Sequence, residues 1–134
     1  MLISREVDYG IRIMIILCNS NVEKKDAKEI AQTSGVSLRF TLKILGKLTS
    51  ATLVKSFRGA KGGYVINKDP KEINIYDIIC ALEGGVKINA CFEDSEACNL
   101  EKCGAACNIH SNLNTIRINL IKDLKEVTLD TLLK

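Results

Sequence analysis

Apolar positions recur at helical spacing in the first third of the chain, at strand spacing in the middle, and at helical spacing again towards the end. In residues 5–19, Val7, Ile11, Met14, Ile15 and Cys18 form one stripe, which predicts a first helix stopping at Asn19-Ser20-Asn21. Asp26 and Glu29 have the spacing of a capping box that opens a second helix over Ala27 to Thr33, and Gly35 is placed to end it. Ser37 is a good N-cap for a third helix with Leu38, Leu42, Leu45 and Leu48 on one side and Arg39, Lys43 and Lys47 on another. Residues 53–57 and 64–66 predict two strands around the glycine-rich, cationic tip Arg58-Gly59-Ala60-Lys61-Gly62-Gly63. Pro70 closes that region, and Ile75 to Leu82 predict a fourth helix that Gly84-Gly85 terminates. Residues 86–110 lack periodicity, and beyond them Leu113, Ile116, Leu120, Leu124 and Val127 repeat at alternating threes and fours, a seam that asks for a partner helix.

Two short helices joined by a glycine turn, the second with a basic face, followed by a cationic hairpin, predict a winged helix-turn-helix. The fold class expected is mainly α with a small β-hairpin wing and a long C-terminal dimerisation helix. Three parts follow: a DNA-binding domain over 1–84, a cysteine-rich loop over 85–110, and the dimerisation helix with its tail over 111–134. Charge sharpens this. The net charge is +3, yet residues 1–70 hold twelve Lys and Arg against six Asp and Glu, while residues 71–134 hold seven against ten. No acidic residue lies between Val36 and Lys68, a stretch suited to a polyanion. The candidate DNA contacts are Ser37, Arg39, Phe40, Thr41, Lys43 and Lys47 on the third helix, with Arg58, Gly59, Lys61, Gly62, Gly63 and Tyr64 on the wing. Glycines at such a tip let the backbone approach the sugar-phosphate wall. The partner implied is a double-stranded DNA operator.

The apolar run Ile13 to Cys18 is too short to cross a bilayer, and no cleavage pattern follows a basic start. A cytoplasmic protein with no membrane partner is therefore expected. In that compartment six cysteines do not read as a disulfide scaffold. Cys18 and Cys80 lie on apolar helical stretches and are expected in the core. Cys91, Cys98, Cys103 and Cys107 crowd one loop, separated by six, four and three residues, with His110 just beyond. Such a set can wrap an iron-sulfur cluster, and four cysteines, or three with His110, would equally complete a tetrahedral zinc site. Cys107 and His110 could be drawn as a nucleophile pair, but no orienting third group or oxyanion-type glycine motif accompanies them, so no enzyme is expected.

Asp8-Tyr9-Gly10, Ile30-Ala31 with Gly35-Val36-Ser37, Leu53-Val54, the wing Arg58 to Tyr64, and Ala81-Leu82-Glu83-Gly84 together resemble the IscR and NsrR family of bacterial winged-helix regulators, over nearly the whole chain. In register, Cys91 falls at that family's first cluster cysteine and Cys107 at its third, with Thr128-Leu129 matching its tail. The resemblance implies a homodimeric transcription regulator, typically a repressor, on palindromic operators. It further implies a 2Fe–2S or 4Fe–4S cluster that answers redox state or nitric oxide and controls DNA affinity. Three cysteines usually supply most ligands in that family, the fourth being His110 or Asp8 of the partner subunit. This loop departs from the pattern, being a few residues longer and holding four cysteines. Either Cys98 or Cys103 could be the middle ligand, or all four could bind. Some relatives lack a cluster and sense through thiols or a bound partner protein.

Overall fold

A computed structural model describes residues 3–101 and 104–133. Helix α1 (Arg5–Cys18) starts where Ser4 accepts a hydrogen bond from the Val7 amide at 3.3 Å. Helix α2 (Ala27–Ser34) opens on the reciprocal box the sequence predicts: the Glu29 amide donates to Asp26 Oδ1 at 2.9 Å and the Asp26 amide to Glu29 Oε2 at 3.3 Å. Gly35 then turns left-handed, and Ser37 caps helix α3 (Leu38–Ser50). Strands β1 (Val54–Phe57) and β2 (Gly63–Ile66) pair antiparallel with Val54 opposite Ile66 and Phe57 opposite Gly63. After a 3-10 turn at Pro70–Glu72, a second capping box formed by Asn74 and Asp77 starts helix α4 (Ile75–Glu83). Three more 3-10 turns, Ala90–Phe92, Ser95–Ala97 and Gly104–Ala106, build the loop before helix α5 (Asn108–Glu126) and the short α6 (Leu129–Leu132).

Helix α1 is the hub, packing on α2, α3, α4, β2 and α6. Its crossing with α4 is close because residue 10 is glycine; a Cβ there would run into the Leu82 side chain. Val7, Ile13, Met14 and Leu17 meet Ile30, Ile44, Leu45, Leu48, Ile78 and Ile79 with essentially no exposure. Each such aliphatic side chain contributes about 1.5–3 kcal/mol by leaving water.

Three expectations change. The buried stripe of α3 is Thr41, Ile44, Leu45 and Leu48, while Leu38 and Leu42 are 39% and 45% exposed. The C-terminal seam is divided: Leu120 and Leu124 pack on the protein's own core, but Ile116 is 57% exposed. Finally, the tail is not an appendage. The Ile75 amide donates to the Val127 carbonyl, the Leu129 amide donates to Ile73, and Leu129 is wholly buried.

Candidate functional site

The N-terminal half of α3 and the wing present the basic surface. Arg39 and Lys43 are exposed, while Phe40 is half-buried, meeting Tyr9 edge-on at 5.8 Å with the Lys43 ammonium 5.3 Å from its ring. Ser37 accepts from the Phe40 amide at 3.3 Å, and its residue is exposed. Arg58, Gly59 and Lys61 stand exposed on the hairpin tip, with Gly62 and Tyr64 half-buried. Gly63 is buried: the Tyr64 amide donates to the Lys25 carbonyl at 2.9 Å and the Lys25 amide donates back to Tyr64 at 3.1 Å, so a Cβ on Gly63 would stand 2.9 Å from Lys25 O. A Cβ on Gly62 would strike the Phe57 carbonyl. Those two glycines thus close the hairpin internally, a different reason from room for a sugar-phosphate wall.

Two of the expected DNA contacts on α3 have other duties. Thr41 is buried with its hydroxyl unpaired, so it cannot reach a duplex. Lys47 turns inward, placing Nζ 2.6 Å from Glu6 Oε1 and donating to the Leu82 carbonyl at 3.0 Å. A cation at the C-terminal end of α4 also complements that helix's dipole. Glu6, which also lies 3.7 Å from Lys43, had no sequence signal because its partners are about forty residues away. The loop between α4 and α5 begins two residues after Leu82, at Gly84. Lys47 therefore ties α3 to the end of α4, where that loop begins.

Within the loop, Cys91, Cys98, Cys107 and His110 line one cavity of about 180 Å³. Cys91 Sγ lies 3.4 Å from His110 Nδ1. The imidazole is held by stacking on Phe92 at 4.5 Å, and the Arg117 guanidinium lies 5.2 Å from the other partner of that stack, Phe92. Arg117 is in turn fixed by donating to Asn114 Oδ1. Only the Arg117–Asn114 contact is local, at i, i+3 on α5, whereas the contacts of His110 and Arg117 with Phe92 have no such spacing. Cys103 lies outside the described residues. Among the described residues no three Cys, His, Asp or Glu side chains converge closely enough to chelate one ion. Asp8 is not at this cavity; it pairs with Arg12 at 2.7 Å on α1.

The two remaining cysteines part company. Cys18 is half-buried against the core, and burial pushes its thiol up to about 11. Cys80 is exposed, against expectation, because the buried face of α4 is Ile75, Ile78, Ile79 and Leu82. Its contact with Tyr76 raises the Tyr76 phenol above its usual range.

A helix-turn-helix backed by a cationic hairpin, with a thiol-lined loop attached to its last helix, defines a winged-helix DNA-binding regulator. A family model described as Rrf2, iron-dependent transcriptional regulator, matches residues 3–134, and the chain belongs to the Rrf2 family. It is 40% identical over 102 residues to the HTH-type transcriptional regulator CymR of Bacillus subtilis, covering 75% of this chain and 74% of that one. With the HTH-type transcriptional regulator NsrR of Bacillus subtilis it is 28% identical over 135 residues, covering 100% of this chain and 91% of that one. Among solved structures, CymR, described as the global cysteine regulator of B. subtilis, superposes with a TM-score of 0.76 at 33% identity, covering 99% of this chain and 96% of that one. The T. potens IscR structure gives 0.75 at 27% identity, covering 99% and 86%. The protein is a transcription regulator and not an enzyme. Among the described residues no helix is long and apolar enough to cross a membrane.

Proposed function

We propose that this regulator is a cytoplasmic homodimeric repressor whose operator affinity is set by an iron-sulfur cluster held in the loop over residues 85–110. The observation that carries the reading is the shared cavity of Cys91, Cys98, Cys107 and His110. The donor set fits the group: thiolates are soft ligands that select iron-sulfur clusters, and imidazole also serves them. Cys91 and Cys107 would be ligands together with at least one of Cys98 and Cys103, the last position falling to the other cysteine, to His110 or to Asp8 of the partner subunit. When bound, a 2Fe–2S or 4Fe–4S cluster would supply an oxidant- and nitric-oxide-sensitive charge centre. The protein's own part is the linkage from that loop through Gly84 and the Leu82 carbonyl to Lys47 on α3. DNA contacts are assigned to Ser37, Arg39, Phe40 and Lys43 on α3 and to Arg58, Gly59, Lys61 and Tyr64 on the wing. Pairing with a second copy is supported by the exposed Ile109 and Ile116 and the half-buried Leu113 on α5.

Anaerobic purification followed by iron, acid-labile sulfide and zinc analysis tests the cluster. Iron and sulfide in matching amounts with visible charge-transfer absorbance, lost in Cys91→Ser and Cys107→Ser, is the expected result. A full zinc complement without iron would replace the cluster by a structural zinc site. A second reading, sensing through free thiols, draws on the likeness to the structure described as a global cysteine regulator. It predicts metal-free protein whose DNA binding changes on thiol oxidation.

A further inference from the structure

The solvent-facing arc of α3 is not the polar surface expected of an amphipathic helix. Along it run Leu38, Leu42 and Gly46, one turn apart each, with Arg39 and Lys43 beside them. Leu38 and Leu42 are 39% and 45% exposed although the fold has a well-filled core. Gly46 stands in the helix interior, where glycine costs about 1 kcal/mol relative to alanine. Among the described residues nothing outside the helix's own backbone lies within 4 Å of where its Cβ would be, so the described fold has no use for a glycine there. Three consecutive turns of one helix thus carry features that a free surface does not explain but a close-fitting partner does. That partner is polyanionic, since the arc sits in the stretch from Val36 to Lys68 that lacks any acidic residue.

We propose that Leu38 and Leu42 read A·T base pairs in the operator through the thymine C5-methyl group, and that Gly46 lets the duplex approach the middle of α3. A leucine side chain has no donor or acceptor, so it is blind to the hydrogen-bonding edges of the bases; the one apolar feature of the major groove is the thymine methyl. Arg39 and Lys43, on the flank of the same arc, then hold phosphates and fix the register. This inference rests on the reading of α3 as the recognition helix, and it adds which chemical group on the base is read.

The test uses full-length, anaerobically purified protein and a duplex enriched by it from a randomised pool. Each thymine of the selected half-site is replaced singly by uracil, which removes only the methyl. At one or two positions per half-site affinity should fall roughly fourfold, the effect of returning one buried methyl to water. In Leu42→Ala that thymine-to-uracil difference should shrink towards none, as a double-mutant cycle requires. Gly46→Ala should melt at least as high as the wild type, yet bind the same duplex several-fold more weakly. A selected site indifferent to uracil at every position overturns the inference and leaves the DNA-binding reading intact. Failure to enrich any sequence overturns both. Loss of self-association in Leu42→Ala, with the uracil effect unchanged, would assign the stripe to a second copy and overturn it as well.

Discussion

Arg58 and Lys61 stand exposed on the wing tip, whereas Lys47, equally basic in the sequence, spends its charge on Glu6 and the Leu82 carbonyl. Phosphate neutralisation is a property of exposed cations that can release counterions. Replacing both Arg58 and Lys61 by alanine should therefore weaken operator binding strongly and flatten the plot of log affinity against log salt by about two units per subunit, about four for a bound dimer, read by titration at several salt concentrations. The two outlying cysteines make a second pair alike in sequence and unlike in place. With its thiol raised to about 11 by burial, Cys18 is about 0.1% thiolate at pH 8, and only the thiolate attacks. Mass spectrometry after brief alkylation at that pH should find Cys80 labelled and Cys18 intact. Labelling of Cys18 first would contradict the packing of α1. Neither contrast was legible in the sequence, because both depend on which neighbours the fold supplies.

Helix boundaries, by contrast, were legible almost to the residue where caps set them. Asp26 with Glu29, Gly35, Ser37 and Gly84 each act over three or four residues, so local sequence contains the whole interaction. Reading which face of α3 is buried failed at Leu38 and Leu42 because hydrophobicity alone cannot separate a core stripe from an apolar contact surface. Helix α6 escaped notice since its one anchoring residue, Leu129, takes its meaning from Ile73 across the chain. The cross-link from α1 through Lys47 to the end of α4 belongs to this scale. Lys47→Met keeps the aliphatic stem but leaves Glu6 short of its nearer partner and the Leu82 carbonyl unpaired. A loss of about 1–3 kcal/mol in urea denaturation is expected, the cost of stranding partly buried polar groups. An unchanged midpoint would mean that the link contributes nothing to holding α3 and α4 together.

At the scale of the whole molecule, the basic half of the chain carries α3 and the hairpin, the surface proposed to face DNA, and the acidic half contains the loop and α5. The crowding of Cys91, Cys98 and Cys107 with His110 about one cavity was legible from their closeness in the sequence. That His110, on the cavity wall, stacks on Phe92, with Arg117 beside that ring, was not, because the loop has no periodicity to reveal which residues meet. Dimerisation through α5 should be probed at Ile116, which is exposed, rather than at Leu120, which packs on the protein's own core. Ile116→Asp should give folded monomers by light scattering that lose operator affinity, as a two-fold operator needs two readers. A dimer that survives the change would place the interface elsewhere. The central claim is that the loop controls the recognition helices, and energetically it can do so only by interacting differently with the two DNA-binding states. Its most direct test is operator affinity at one fixed salt concentration for anaerobically prepared wild type and Cys91→Ser. The coupling between distinct sites expected here corresponds to a change of roughly 5- to 150-fold in affinity, whereas equal affinities for the two proteins would contradict control by the loop.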